Sequence, residues 1–169
     1  GAIVRSNWIH AIATGVCSSS TNGFNALDIQ DNTGVTVEKN LIHTVGRLRG
    51  NIGESGCSLT PGSGGLAQND HGVYAQNTTN LTIRRNIIYD ANRGWPLHFY
   101  KPTGSTSGLK VYNNTIHGKS PTGAPHGQVM IASAWTGVNE FKNNIYSDPQ
   151  TAPFITFSVS GAGTITIDE

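Results

Sequence analysis

The sequence predicts an all-β solenoid, in which short strands wind in successive coils that stack along one axis. A template of an apolar residue, two polar residues, Asn, any residue, Ile and then His or Tyr occurs four times, and such periodicity is typical of solenoids. The copies are Val4–His10, Val37–His43, Ile83–Tyr89 and Val111–His117. Abundant Gly, Asn, Ser and Thr with few Lys, Glu and Leu favour short strands and tight turns over helices.

Each coil is predicted to hold two or three strands with alternating inward apolar and outward polar residues. Two strands flank the template Asn. Another strand, which is followed by a polar turn, lies upstream of each copy after the first. The preceding strands are Ala26–Gln30, Gly72–Gln76, Leu97–Tyr100 and Gln128–Ala132, and Phe154–Val159 with Thr164–Ile167 begin a last coil.

An imperfect fifth copy covers residues 137–146. Asn143 fits the Asn-x-Ile-Tyr half of the template, whereas Asn144 fits the half that begins at Phe141. Both registers stay open from the sequence.

Asn at one phase of every coil resembles the right-handed parallel β-helix of the pectate-lyase-like superfamily, over nearly the whole chain from Ile3 to Ile167. The resemblance implies five to six coils stacked at ~4.8 Å and an internal Asn ladder. The ladder residues would be Asn7, Asn40, Asn86 and Asn114. We expect one domain over 1–169 that is a segment of a longer β-helix or associates end to end, because no helix or charged segment covers either coil edge.

The composition limits which binding partners and which cellular compartment the protein is expected to have. A formal charge of +1 with 12% charged residues indicates neither nucleic acid nor an anionic membrane as a partner. No apolar run approaches the ~20 residues that cross a bilayer. Cys17 and Cys57 follow successive repeat copies, so they either form a disulfide in an oxidising compartment or are two free thiols.

In-register stacking predicts one functional face. If Leu27, Val73 and Leu97 point inward, Asp28, Tyr74 and His98 form an outward column, and Gln30, Gln76 and Tyr100 form the next. The insertion between Thr44 and Asn69 enters at the same corner. We predict a saccharide groove on this face. Its remaining members are Lys101, which follows Tyr100, and four residues at the strand entrances: Asp70, His71, Arg93 and Trp95.

The resemblance implies that this face binds or cuts an acidic polysaccharide in a secreted or cell-surface protein. A β-eliminating lyase or C5 epimerase needs a cation, a base and an acid. Arg93 or Lys101, His98 or His71, and Tyr74 or Tyr100 are the respective candidates. No cofactor is required, although Ca²⁺ could bind at Asp28 or Asp70.

Other assignments compete with this one. Each residue also has an ordinary structural explanation, and a non-catalytic surface or adhesin module is the rival function. A glycoside hydrolase is disfavoured because Asp28 and Asp70 are four aligned positions apart, well beyond the ~5–9.5 Å that paired carboxyls need. Trp8-Ile9-His10 lacks the Asp of the pectate-lyase Trp-Ile-Asp-His motif, and Asn69-Asp70-His71-Gly72 lacks the Pro of the epimerase Asp-Pro-His motif.

A second outward column is predicted after the inward Ile of each copy, and it favours a structural aromatic stack over a metal or sugar site. Its members are His10, His43, Tyr89, His117 and, in one register, Tyr146. Glu38 and Arg84 occupy one phase on adjacent coils and predict a cross-strand ion pair.

Overall fold

A computed structural model of the chain describes most of the repeat region. It describes residues 1–18, 22–48, 57, 69–91, 94–100, 106–118, 127–132, 135–148, 154–157 and 163–168. Within these ranges the structure is all β, and its strands form three parallel sheets.

Each sheet collects one strand from each successive coil. Sheet A orders its strands as β1 (Ile3–Arg5), β4 (Thr36–Glu38), β7 (Thr82–Arg84), β10 (Lys110–Tyr112), β13 (Val138–Lys142) and β16 (Thr164–Asp168). Sheet B contains β2 (Trp8–Ile12), β5 (Leu41–Val45), β8 (Ile87–Ala91), β11 (Thr115–His117) and β14 (Ile145–Ser147). Sheet C contains β3 (Leu27–Gln30), β6 (Val73–Gln76), β9 (Leu97–Tyr100), β12 (Val129–Ile131) and β15 (Ile155–Phe157). The chain visits A, B and C in turn, which confirms the predicted parallel β-helix.

The turn between sheets A and B has the same backbone in each repeat. The residue before each ladder Asn adopts a left-handed conformation, as at Lys39 (φ 56°), Arg85 (φ 56°) and Asn143 (φ 52°). This single left-handed residue redirects the chain and points the next side chain into the turn. Asn143 is therefore the left-handed residue of this turn, and Asn144 is the fifth ladder residue.

The predicted Asn ladder is present. Asn40 Oδ1 accepts hydrogen bonds from the backbone N and Nδ2 of Asn7, both at 3.0 Å. Asn86 repeats this arrangement with Asn40, and Asn114 with Asn86, at 2.9–3.0 Å. The ladder ends at Asn144 Oδ1, which accepts from Asn114. These bonds satisfy buried amides that would otherwise be left without partners.

The core fills the space enclosed by the three sheets. Its fully buried side chains include Val37 from sheet A, Ile42 and Ile88 from sheet B, and Leu97 from sheet C. Phe99 packs edge-to-face on Trp135 at 5.7 Å between ring centroids. Because inward residues of consecutive coils pair in register, apolar side chains form continuous files.

The loop corner between sheets B and C is fixed by a disulfide. Cys17 lies after β2 and bonds Cys57, which lies in the long insertion after β5. This answers the question that the sequence left open between a disulfide and two free thiols.

Large apolar side chains are exposed on the outermost coils. Ile3 and Trp8 are 59% and 67% exposed at one end, and Ile145 and Ile167 are 61% and 58% exposed at the other. The expectation of end-to-end association stays a prediction.

The predicted ion pair between Glu38 and Arg84 is present on the outer face of sheet A. Arg84 Nε donates to Glu38 Oε2 at 2.6 Å, and Arg5 donates to the other carboxylate oxygen. The hydrogen bond from Arg84, followed by that from Arg5, lowers the pKa of Glu38 below its ordinary value. A second carboxyl on this face, Glu140, also has a lowered pKa, chiefly through its hydrogen bond from Lys142.

Acid is therefore expected to weaken sheet A. A carboxyl with a lowered pKa in the folded state contributes stability above its unfolded pKa of ~4.3, and this contribution is lost as the pH falls through the folded pKa. The melting temperature should fall when the pH is lowered from neutral to about 3. The Glu38→Gln/Glu140→Gln variant should lose part of this dependence. A variant with the same pH profile as the natural protein would contradict the assignment.

Candidate functional site

The predicted column on sheet C is present. Asp28 pairs with Tyr74, and Tyr74 pairs with His98, across parallel strands in one register. The neighbouring column of Gln30, Gln76 and Tyr100 is present in the same pairing. The stacking of residues from three coils therefore places all six side chains on one outer face.

This face carries an open pocket of about 520 Å³. Its lining combines amide side chains, aromatic rings and one described carboxylate, a mixture typical of sites that recognise hydroxyl groups. The described lining residues are Asn22, Gly23, Asn25, Asp28, Gln30, Asn69, His71, Tyr74, Gln76, His98, Tyr100 and Ala132. The pocket brings together five of the predicted site residues: Asp28, His71, Tyr74, His98 and Tyr100.

The rings pack against one another at the pocket wall. Tyr74 stacks on His71 at 5.6 Å and meets His98 edge-on at 5.3 Å. Trp95 and Tyr100 contact His98 at 5.1 Å and 6.0 Å between ring centroids. Trp95, predicted as a ligand contact, supports the rings in this arrangement.

Tyr74 is held as a proton donor. Its hydroxyl donates to Gln76 Oε1 at 2.8 Å. Partial burial, reinforced by nearby Tyr100 and Asp28, raises the pKa of Tyr74 to about 12. Tyr74 is therefore protonated at neutral pH and has a proton to donate, as the predicted role of an acid requires.

Asp28 is exposed and held by two amides. Asn25 Nδ2 donates to Oδ2 at 3.1 Å, and Gln30 Nε2 donates to Oδ1 at 2.8 Å. These bonds orient the carboxylate on the pocket surface. Each oxygen of a carboxylate has about two acceptor positions, so Asp28 can accept further hydrogen bonds.

His71 and His98 are linked to the backbone of Trp95. The backbone N–H of Trp95 donates to His71 Nδ1 at 3.0 Å, and His71 Nε2 lies 2.8 Å from His98 Nδ1. Gly94 makes room for this arrangement, since a Cβ there would lie 2.4 Å from His71 Nδ1. His71 is only 2% exposed, whereas His98 is half-buried.

Asp70 lies beneath the pocket. It is fully buried with Arg47, whose Nε and Nη2 donate to the two carboxylate oxygens at 2.9 Å and 2.8 Å. The backbone amides of Phe24 and Arg47 also donate to this carboxylate, at 3.0 Å and 2.9 Å. A carboxylate enclosed in this way does not reach a ligand, which differs from the predicted contact.

The two predicted cations, Arg93 and Lys101, lie outside the described residues, as does most of the insertion. Sequence reasoning did not assign Arg47 to the ion pair under the site, nor Asn22, Asn25 and Asn69 to the pocket lining. Arg47 belongs to no repeat or motif of the sequence that would predict its burial. Asn25 could have been found from its place before β3, where an Asx side chain commonly bonds nearby groups.

A comparison with family models matches residues 2–168 to the family described as a right handed beta helix region. The chain belongs to this family. The match to the β-helix family includes every strand from β1 to β16. No curated protein and no solved structure matches the chain.

The second outward column of the β-helix lies on sheet B. His10, His43, Tyr89 and His117 follow one another in register, and His43 stacks on His10 at 5.3 Å and on Tyr89 at 4.7 Å between centroids. The next position is Ser147, because Tyr146 pairs with Ile116 and faces inward. Burial raises the pKa of Tyr146. The suggestion that Tyr146 continues the outward column is wrong, since the ladder register runs through Asn144.

The described residues contain no group of three or more His, Cys, Asp or Glu that could hold a metal ion. Of the two predicted Ca²⁺ ligands, Asp70 already has both oxygens bonded to Arg47. None of the described segments forms a helix suited to crossing a membrane.

Proposed function

We propose that this β-helix protein binds an acidic polysaccharide along the outer face of sheet C and acts on it by β-elimination or C5 epimerisation. The observation that carries the proposal is the pocket in which Asp28, Tyr74 and His98 stand on three consecutive coils. The column runs along the stacking axis at ~4.8 Å per coil, so an extended chain of sugars can lie across several coils.

The lining chemistry supports a saccharide. Amide groups of Gln30 and Gln76 offer both donors and acceptors to sugar hydroxyls. The half-buried rings of Tyr74 and Tyr100 offer apolar area beside a polar hydroxyl. The disulfide between Cys17 and Cys57 supports a secreted or cell-surface location, because such bonds persist in oxidising compartments.

Chemistry on a uronate needs three groups. A cation must stabilise the charge that develops on the carboxylate when the C5 proton leaves, a base must take this proton, and an acid must protonate the departing oxygen. In this proposal Tyr74 is the acid. Arg93 and Lys101 supply the cation, since they lie two residues before Trp95 and directly after Tyr100 in the sequence.

The proposal is tested by incubating the protein with alginate, pectate and glycosaminoglycans while the absorbance of the unsaturated product is recorded. Epimerisation is followed separately by proton NMR of the polymer. Tyr74→Phe should lower turnover at least ~100-fold, the usual contribution of one acid or base. Polymer binding should change little, because only the hydroxyl is removed.

Tyr89→Phe is the matched control, since it removes the same hydroxyl from the aromatic column on sheet B. Its turnover should equal that of the natural protein. Equal losses in both variants would place the reaction elsewhere, and a lack of polymer binding by the natural protein would overturn the proposal altogether.

A non-catalytic surface module is the second candidate. It is favoured by the pocket's composition, since Asp28 is the only acidic group among the described lining residues and none of these is Lys or Arg. Polymer binding without turnover, reduced by Tyr100→Ala, would select this function over the enzyme.

A further inference from the structure

We infer that His71 and His98 are locked in one tautomer with no ring lone pair left for a substrate proton, and that Asp28 is the proton acceptor of the pocket. The role of Asp28 rests on the proposed function. The tautomer lock rests only on hydrogen bonds of the protein. It reverses the expectation that a histidine is the base.

The lock begins at a backbone amide. The N–H of Trp95 cannot change its donor role, so His71 Nδ1 must accept from it. His71 is consequently neutral and carries its single ring proton on Nε2. That proton points at His98 Nδ1, 2.8 Å away.

The same logic continues to the second ring. Because His71 Nε2 donates, His98 Nδ1 must accept, and His98 is neutral with its proton on Nε2. A further proton on either ring would place two N–H groups face to face. In both rings the lone pair of Nδ1 is thus occupied by a hydrogen bond, and Nε2 carries the proton. Neither ring can take a proton from a sugar while the chain of bonds is intact.

Asp28 remains as the base on the described lining. Its carboxylate has two amide bonds and unused acceptor positions, and it stands on the strand next to Tyr74. In the inferred step, Asp28 takes the C5 proton and the C5–H electron pair becomes the C4–C5 double bond. The bond from C4 to the glycosidic oxygen breaks, and that oxygen takes the hydroxyl proton of Tyr74. A proton then returns from Asp28 to the Tyr74 phenolate through solvent.

The geometry also favours one of the two reactions. Asp28 and Tyr74 project from neighbouring strands of the same sheet face, so they approach the sugar from the same side. Epimerisation needs removal and return of the C5 proton on opposite sides of the ring. Elimination can proceed with both groups on one side, and we therefore assign β-elimination to this pocket.

The lock is tested without any substrate. Long-range proton–nitrogen NMR correlation on ¹⁵N-histidine-labelled protein near neutral pH should show protonated Nε2 and unprotonated Nδ1 for both rings. A His98 protonated at Nδ1 would overturn the lock. His71→Gln keeps a side-chain N–H that can donate to His98 Nδ1, so the tautomer of His98 should be retained. His71→Phe removes the donor, and His98 should then populate both tautomers.

The role of Asp28 is tested by turnover. Asp28→Asn should lower the rate of elimination at least ~100-fold with polymer binding retained. Asp31→Asn, the same change at an exposed carboxyl past the end of β3, should have no effect. Near-normal turnover in Asp28→Asn, or a pocket product that is epimerised and not unsaturated, would overturn the assignment. An inactive natural protein would remove the proposed reaction and the role of Asp28 with it, whereas the NMR spectrum would still decide the lock.

Discussion

Asp70→Asn is expected to lower the free energy of unfolding by about 3–5 kcal/mol, the usual cost of removing one partner from a buried ion pair. The substitution keeps the shape of the side chain but removes the negative charge that faces the fully buried Arg47 guanidinium. The Nε, Nη2 and backbone N–H groups of Arg47 all donate to this carboxylate. Chemical denaturation of the natural and variant proteins measures the loss.

Asp31→Asn provides the matched control for the ion pair. Asp31 is exposed and accepts one bond from Asn77, so its neutralisation should change stability by less than ~0.5 kcal/mol. The double variant Arg47→Met/Asp70→Asn should recover part of the loss, because the buried guanidinium is removed together with its carboxylate partner. A single variant as stable as the control would show that this pair does not hold the corner.

The same ion pair connects stability to the pocket. Asp70 directly precedes His71, and its carboxylate also holds the backbone of Phe24, whose ring lies 4.9 Å from the Arg47 guanidinium carbon. Loosening this corner would move the first ring of the histidine pair. Asp70→Asn is therefore expected to alter the His71 NMR signals even where the protein remains folded.

The fold and the outward columns of side chains could be predicted from the sequence because equivalent residues of successive repeats stack directly on one another. Once coils lie in register, the phase of a residue within its coil fixes the direction of its side chain, as for Asp28, Tyr74 and His98. The same logic correctly paired Glu38 with Arg84. A single ambiguous step was enough to misplace Tyr146, since choosing Asn143 or Asn144 exchanges the inward and outward faces.

The corner under the pocket could not be read in this way. Arg47 and Asp70 lie outside the repeated template, and their contact spans the long insertion. Neither has a phase that predicts burial, and a charged residue is ordinarily expected at the surface. The tautomer of His98 likewise depends on the direction of the backbone N–H of Trp95, which no residue pattern encodes.

Asn86→Ala is expected to cost about 4 kcal/mol, because it leaves two buried donors without partners at roughly 1–3 kcal/mol each. Asn86 Oδ1 accepts from the backbone N and Nδ2 of Asn40, and its own Nδ2 donates to Val37 O at 3.0 Å and to Asn114 Oδ1 at 2.9 Å. Alanine replaces none of these groups, and the side chain is only 1% exposed, so water does not readily take its place.

Asn7→Ala makes the same substitution in the same type of turn on the first described coil, where the side chain is exposed. It should cost less than ~1 kcal/mol, since its bonds can be replaced by water. Hydrogen exchange gives a local measurement, because the amide of Asn40 donates to Asn86 Oδ1 and should exchange much faster in Asn86→Ala. Equal losses of stability at Asn7 and Asn86 would mean that the ladder derives its strength from turn geometry and not from buried hydrogen bonds.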